Sequence, residues 1–344
     1  MNAIMEKSRI KLPKGFTVRG ANLDDIEPAI ELFNTWSQAL IQQDDVTDAG
    51  AIRSEWRSPG FDPTRDIRVI FSPDARMVGH IEVWTTVKPP VHPWLWGRVH
   101  PDFGGLGIGT WLMQWAEERA LKVLDEVPAD LRIAPRVGTY RAATESKRLF
   151  EDMGYRQIRS SYNMQIDMDE APPAPVWADG ITLKIFNPET DTEAVYWADD
   201  EAFRDHFGHI DMPFEEGFTR FKHFMMGEGF DPTLWFLAMD GDEVAGVSLC
   251  RPRAYDDPDM GYVNSLAVRR PWRKKGLGLA LLRHSFGEFY RRGKRKVSLG
   301  VDAENLTGAL RLYEKAGMYV SRAFDLYEKT FRDGREVSVV SLKE

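Results

Sequence analysis

The residues best suited to chemistry lie in the stretch RRPWRKKGLGLALLRHS, which runs from Arg269 to Ser285. Five cationic side chains and two glycines come directly before an apolar-periodic helix. Unpaired N–H groups at a helix N-terminus bind anions, because the helix dipole is positive there. Gly276 and Gly278 would let a phosphate approach the backbone without a Cβ in the way. The stretch therefore predicts a phosphate-binding loop, although it matches neither the eight-residue loop of nucleotide triphosphatases nor GxGxxG.

The loop must be positioned by a strand before it and a helix after it. Tyr262–Val268 is typical of a strand, and the helix has a predicted buried stripe. That stripe consists of Leu279, Leu282, Phe286 and Phe289. A further strand, KVSLGV, and a helix, RLYEKAG, follow along the chain. The unit is therefore predicted to be an α/β unit with a mixed sheet.

The same plan occurs twice. RLFEDMGY and RLYEKAGM place Gly154 and Gly317 at equivalent helix ends, 317 − 154 = 163 residues apart. The two glycine loops align Gly107 with Gly276, where 276 − 107 = 169. Between the copies, DMDEAPPAPVWADG is typical of an extended linker. We predict an N-terminal domain over residues 1–168 and a C-terminal domain over residues 180–344.

The spacing Arg273-x-x-Gly276-x-Gly278 after SLAV, followed downstream by VDAENLTGALRLYEKAGM, resembles the acetyl-CoA signature of the GNAT acyltransferase superfamily. The resemblance covers nearly the whole chain as two tandem GNAT domains, as in mycothiol synthase-like proteins. It implies a central, mixed, splayed sheet flanked by helices in each domain. It also implies an N-acetyltransferase in which a small-molecule primary amine attacks acetyl-CoA directly.

In this family the loop amides hold the CoA diphosphate, and the pantetheine arm lies between two splayed strands. A backbone amide near Leu266 would polarise the thioester carbonyl. The resemblance thus gives a set of expected cofactor contacts in the C-terminal half: Leu266, Ala267, Val268, Arg273, Lys274, Lys275, Gly276, Leu277, Gly278, Leu279, Asn305 and Tyr313. Asn305 is equally well explained as a helix N-cap. Tyr313 matches the family's proton donor to the leaving thiolate, and a core aromatic is the alternative.

The two halves differ where the chemistry would lie. Gly104 replaces Arg273, Ala142 replaces Asn305, and Phe150 replaces Tyr313. Phenylalanine cannot donate a proton, so we expect the C-terminal half to be catalytic and the N-terminal half to be degenerate or regulatory. The first loop keeps three glycines that can still bind CoA or a related phosphate: Gly105, Gly107 and Gly109.

The base that would deprotonate the amine is harder to identify. Some family members carry a carboxylate where this sequence has Tyr262. His206 has a suitable intrinsic pKa and is our candidate catalytic base. Its spacing with His209 could indicate a metal, but a satisfied or surface pair is the simpler interpretation, and we predict no metal. The nearby acids either attract an ammonium group or form a solvated helix face: Asp205, Asp211, Glu215 and Glu216.

Composition limits the remaining choices. A net charge of -8 over 344 residues argues against nucleic-acid binding. No apolar run approaches a signal peptide or a membrane span, so we expect a cytoplasmic protein without a membrane partner, acting as a monomer or homodimer. Cys250, the only cysteine, is best explained as a core residue. A catalytically inactive CoA-sensing scaffold and a protein or peptide acetyltransferase are the alternative functions.

Overall fold

A computed structural model describes residues 10–227, 229–304 and 308–340. The chain divides into two compact units, each with a mixed sheet and flanking helices. The first unit contains residues 1–158 and 325–336, and the second contains residues 159–324 and 337–344. The two units therefore exchange segments relative to the sequence: residues 159–167 group with the second unit, and residues 325–336 group with the first. The predicted α/β class with mixed sheets is confirmed.

The first unit begins with a short strand and three helices, and a sheet of antiparallel neighbours follows. Its elements are β1 (Thr17–Arg19), α1 (Ile26–Ile41), α2 (Ala49–Trp56), α3 (Pro63–Asp66), β2 (Ile67–Phe71), β3 (Met77–Trp84), β4 (Trp94–Val99), α4 (Ile108–Leu121), β5 (Arg136–Tyr140) and α5 (Thr144–Asp152). Strands β1 to β4 pair antiparallel in chain order, and β4 pairs with β5 in parallel.

The rest of the chain has a similar order between two long strands, which come first and last below and which also contribute residues to the first unit. Its elements are β6 (Arg156–Asp167), β7 (Ile181–Ile185), α6 (Thr192–Phe203), α7 (Phe214–Met225), β8 (Trp235–Asp240), β9 (Glu243–Arg251), β10 (Met260–Val268), α8 (Leu277–Arg291), β11 (Lys296–Asp302), α9 (Ala309–Lys315) and β12 (Tyr319–Glu328). Strands β7 to β10 pair antiparallel in chain order, β10 pairs with β11 in parallel, and β11 pairs with β6 antiparallel.

Helix α8 shows how the apolar pattern fixes the core. Leu282, Phe286 and Phe289 are buried as the periodicity predicts. Leu279 is only partly buried, and Leu281 takes its place in the core. The rest of the unit covers a face of α8 that is wider than one narrow stripe. The centre of that face therefore lies nearer to Leu281 than to Leu279.

The fold also shows the surroundings of the two helix-ending glycines and of the cysteine. Gly154 and Gly317 both have left-handed backbone, with φ of 87° and 94°, as expected where a helix stops. Cys250 is buried, and burial raises the pKa of its thiol to about 11, so it is a core residue. Over the described part of the chain, none of the helices combines the length and the apolar character needed to span a bilayer.

Candidate active site

The loop before α8 presents a row of backbone donors. Lys274 and Gly276 both have left-handed backbone, with φ of 63° and 81°, and they turn successive peptide N–H groups outward. Within the described residues, no acceptor pairs with the amides of residues 274–279, whereas the Ala280 amide already donates to the Gly276 carbonyl. Alternating backbone conformations of this kind at a helix N-terminus form an anion-binding concavity.

The equivalent loop of the first unit has the same backbone. Gly105 and Gly107 have φ of 74° and 77°, at the positions matching Lys274 and Gly276. The amides of residues 105–110 have no acceptor in the part of the chain that the structure describes. Both units therefore retain the row of unpaired amides. They differ at the first left-handed position of the loop, which is Lys274 in the second unit and Gly105 in the first.

The glycines of the loop serve different purposes. A Cβ on Gly276 would meet no atom within 4 Å, so the glycine is required by its φ and leaves the approach to the amides open. A Cβ on Gly278 would lie 3.0 Å from Cδ1 of Leu312. Gly109 has the same relation to Leu149, at 3.1 Å. The last glycine of each loop therefore allows close helix packing, and the sequence interpretation that it exposes backbone to phosphate is incomplete.

Arg273 is occupied by contacts within its own unit. Its guanidinium donates to the Val268 carbonyl at 3.0 Å, the Ala202 carbonyl at 2.9 Å and the Asp205 carboxylate at 3.1 Å. Asp205 also pairs with Arg270. These bonds brace the loop against α6 and leave Lys274 as the exposed cation that lines the cavity.

Two central strands separate beside this loop. The parallel pairing of β10 with β11 runs from Met260 to Tyr262 and then stops, although β11 continues to Asp302. The β9–β10 ladder shifts register between Val263 and Ser265, which makes Asn264 a bulged residue. A cavity of about 670 Å³ lies at the corresponding split of β4 and β5, and one of about 540 Å³ lies at the β10–β11 split.

Most of the residues predicted to contact the cofactor line the second unit's cavity. These are Leu266, Ala267, Val268, Arg273, Lys274, Gly276, Leu277, Gly278 and Tyr313, and the predicted base His206 lines it too. Lys275 and Leu279 do not line it. Asn305 lies outside the described residues. The first unit's cavity is lined by Gly105, Gly107 and Gly109.

Tyr313 lies on α9 and is buried against the core. Burial raises the pKa of Tyr313 to about 12, and the neighbouring Tyr262 acts in the same direction. The phenol therefore keeps its proton at neutral pH. Its hydroxyl has no hydrogen-bond partner among the residues that the structure describes, so the proton is available to a group entering the cavity.

His206 follows α6 and packs against Phe203, with ring centroids 4.3 Å apart. Burial, followed by the positive charge of Arg273, lowers the pKa of His206. The imidazole is therefore neutral at pH 7 and can accept a proton. No group of three or more metal-ligating side chains occurs within the described ranges, His206 and His209 included.

Known proteins share these features. A model of the acetyltransferase (GNAT) family matches residues 192–318. A mycothiol acetyltransferase from Thermobispora bispora is 31% identical over 222 residues, which are 64% of this chain and 70% of that protein. A GCN5-related N-acetyltransferase structure from Sphaerobacter thermophilus is 34% identical, with a TM-score of 0.80, and the match covers 95% of this chain and 99% of that one. The chain belongs to the GNAT family.

It is accordingly an N-acetyltransferase that uses acetyl-CoA, the cosubstrate of the GNAT fold. A tandem GNAT protein from the clavulanic acid biosynthesis pathway shares the fold at 15% identity, with a TM-score of 0.65. The splayed strands and the free loop amides fit this cosubstrate, because an elongated thioester with a diphosphate needs both a slot and a cluster of donors.

The first GNAT unit contains a buried polar cluster around Arg98. The Arg98 guanidinium lies between Trp36 and Trp96, at 4.1 and 4.3 Å from the ring centroids. It also donates to Asp45 at 3.0 Å, and the Tyr140 hydroxyl donates to the same carboxylate at 2.6 Å. Stacked and paired in this way, the cation is held in place.

Two titratable groups of the first unit are buried next to this cluster. Burial lowers the pKa of His80 to about 3 and raises the pKa of Glu82 to about 7. Both side chains are therefore neutral near pH 5.5, and their 3.5 Å approach is a contact between neutral groups rather than an ion pair. Glu82 accepts hydrogen bonds from the indoles of Trp56 and Trp84, at 3.0 and 2.7 Å.

Sequence reasoning missed three polar residues of the second GNAT unit. Asn264 and Ser265 are adjacent polar residues within β10 that line the cavity, and the bulge that places both there cannot be recognised from alternation alone. Asp199 lies behind Ser265 and accepts its hydroxyl hydrogen bond. The available signal was helical spacing, since Asp199 precedes the cavity-lining Ala202 and Phe203 by three and four residues.

Proposed function

We propose that the second unit transfers acetyl from acetyl-CoA to the primary amine of a small molecule, by direct attack within a ternary complex. The observation that carries this proposal is one cavity that joins the loop residues Lys274 and Gly276–Gly278, whose amides are unpaired within the described residues, with the split between β10 and β11 and with Tyr313. The relatives named mycothiol acetyltransferases favour a small-molecule acceptor over a protein.

The chemistry follows from these groups. The loop amides and Lys274 bind the diphosphate, and residues 266–268 line the slot for the pantetheine arm. A neutral amine attacks the thioester carbon, and a β10 amide near Leu266 stabilises the negative charge that develops on the carbonyl oxygen. When the intermediate collapses, the C–S bond breaks and Tyr313 donates its proton to the sulfur.

The proposal predicts that charge at the loop mouth abolishes donor binding. Gly276→Glu places a carboxylate among the amides, so acetyl-CoA affinity should fall at least about tenfold, or roughly 1.4 kcal/mol. Gly276→Ala is the matched control, because it carries the same left-handed backbone cost without the charge. Calorimetry with acetyl-CoA measures the affinity, and release of the CoA thiol over a set of primary amines measures transfer.

The first unit offers a second control. Gly107→Glu alters the equivalent loop and should leave thiol release unchanged, since the second unit catalyses. Equal activity in wild type and Gly276→Glu would contradict the proposal. Binding of acetyl-CoA without amine-dependent thiol release would instead favour a CoA-sensing scaffold.

A further inference from the structure

A buried carboxylate lies behind the cavity of the second unit and has no role in the transfer proposed above. Asp199 projects from α6 toward β10, where the Ser265 hydroxyl donates to its Oδ1 atom. Ser265 itself lines the cavity beside the bulged Asn264 and is only 7% exposed. The hydrogen bond between Ser265 and Asp199 therefore links the point where β10 and β11 separate to a buried carboxylate on α6.

Asp199 lacks the positive charge that a buried carboxylate requires. Among the described residues, its only hydrogen bond comes from Ser265, and the one charge that affects it is that of Asp200, which is negative. Burial raises the pKa of Asp199 to about 6. By contrast, Asp205 is paired with Arg270 and Arg273, and Asp200 is paired with Arg204 at 2.9 Å. A buried carboxylate without a cation is costly, so a cationic ligand would stabilise it.

The first unit shows that the arrangement is not required by the fold. Helical positions in the two units correspond at an offset of 163 residues. At this offset Trp36, which lines the first unit's cavity, corresponds to Asp199. The neighbouring lining residues Ala39 and Leu40 correspond to Ala202 and Phe203. Trp96 matches Ser265 when the β4 and β10 strands are aligned at their last valines. Both members of the pair are thus tryptophans in the first unit, where they enclose the Arg98 guanidinium.

We propose that the ammonium group of the acceptor binds against the Ser265 hydroxyl, attracted by the negative charge of Asp199, and that Asp199 removes, through this hydroxyl, the proton that the group must lose before attack. The inference rests on the proposed function of the second unit. The ammonium N–H bond breaks as Ser265 Oγ takes the proton and passes its own proton to Asp199. The amine lone pair then forms the C–N bond, and the electron pair of the C–S bond leaves with sulfur.

The remaining protons balance. Tyr313 gives its proton to the thiolate and regains one from the nitrogen, which loses its second proton as the amide forms. Asp199 then releases the first proton to solvent. In this scheme His206 is not the base, so the two candidates can be separated by experiment.

The kinetic test uses the full chain, saturating acetyl-CoA and three probe amines: ethanolamine, glucosamine and benzylamine. Asp199→Asn keeps the shape and removes the charge, so KM for the amine should rise about tenfold and kcat should fall about 100-fold. Ser265→Ala should lower kcat with a smaller change in KM. Acetyl-CoA affinity should stay within twofold. The matched control Asp200→Asn removes a neighbouring acid of the same helix and should behave as wild type.

A second measurement does not depend on turnover. Carbon-13 NMR of protein labelled at aspartate Cγ, with Asp199 assigned from Asp199→Asn, should show that signal shifting when ethanolamine is added to the CoA-bound protein. Ethylene glycol is the uncharged control. Loss of activity in His206→Gln but not in Asp199→Asn, or an Asp199 signal unmoved by all three amines, overturns the inference. Failure of acetyl-CoA to bind at all overturns the proposed function instead.

Discussion

At the scale of single residues, burial decides which side chains keep their protons. Tyr313 is held protonated by its apolar surroundings on α9, and His206 is held neutral beside Arg273. Both residues were predicted from the sequence: Tyr313 from the family resemblance, and His206 from the intrinsic pKa of histidine. The sequence did not identify Asp199, because an acid on a helix is usually solvated and its burial depends on which face meets the sheet.

The role of Tyr313 gives a direct prediction. Tyr313→Phe keeps the ring in the core and removes the proton donor, so turnover should fall about 100-fold. Acetyl-CoA affinity, measured by calorimetry, should stay within twofold of wild type. The loss should shrink for a thioester whose leaving thiol has a lower pKa, since such a thiolate needs no proton. Wild-type turnover in Tyr313→Phe would remove it from the mechanism.

His80 predicts a pH effect on stability. Its folded pKa of about 3 lies below the usual 6.5, so the unfolded state binds the proton and the unfolding free energy rises with pH between these values. Glu82, with a pKa raised from 4.5 to about 7, has the opposite slope. The two contributions cancel from about pH 4.5 to 6.5.

Replacing His80 should expose this cancellation. In His80→Phe the unfolding free energy should fall, relative to wild type, by about 1.4 kcal/mol per pH unit as pH rises from 5 to 6.5. Urea denaturation at several pH values measures the difference. Parallel pH profiles for the two proteins would mean that His80 is charged in the folded state.

At the scale of elements, strand and helix contacts set the geometry of the split. Gly261 lies in β10 where that strand passes Phe289 of α8, and a Cβ there would fall 2.5 Å from two ring carbons. The sequence predicted β10, the loop and α8 in order, because each has a clear periodicity. The end of β10–β11 pairing after Tyr262 was expected only from the family resemblance, since no local pattern encodes a strand separation.

The contact at Gly261 is testable. Gly261→Ala should destabilise the chain by about 1–3 kcal/mol, because the buried ring cannot move away without a new clash. Combining it with Phe289→Leu should recover part of that loss. Gly287→Ala is the control. Gly287 lies on α8, as Phe289 does, but a Cβ there would meet no atom within 4 Å, so this substitution should be neutral or stabilising. Thermal or urea unfolding measures all three, and equal effects at Gly261 and Gly287 would contradict the packing argument.

At the scale of the whole molecule, duplication and segment exchange coexist. The repeat was visible in the sequence from matching glycines and helix stripes. The exchange was not visible, because β6 and β12 have the pattern of ordinary terminal strands, and strand partners are set by contacts far apart in sequence. Asp325 and Tyr327 are buried within the first unit although they follow the whole second repeat. Asp325 pairs there with Arg141 and Lys147, each at 3.1 Å.

The exchange predicts where a mutation acts. Tyr327→Ala removes a fully buried aromatic from the core that includes α4, so it should cost about 3–5 kcal/mol. Hydrogen exchange should rise in peptides from residues 108–121 and stay low in residues 277–291. Tyr319→Ala, on the same strand but 48% exposed, is the control and should change neither. Stronger exchange in residues 277–291 than in residues 108–121 would contradict the assignment.

The exchanged segment also matters during synthesis in the cell. Residues 325–336 emerge from the ribosome only after residues 159–324, so the N-terminal half cannot complete its core as soon as it has been translated, unlike a typical leading domain. Nascent chains stalled before Asp325 should therefore expose the apolar side chains that Tyr327 later covers and should bind chaperones.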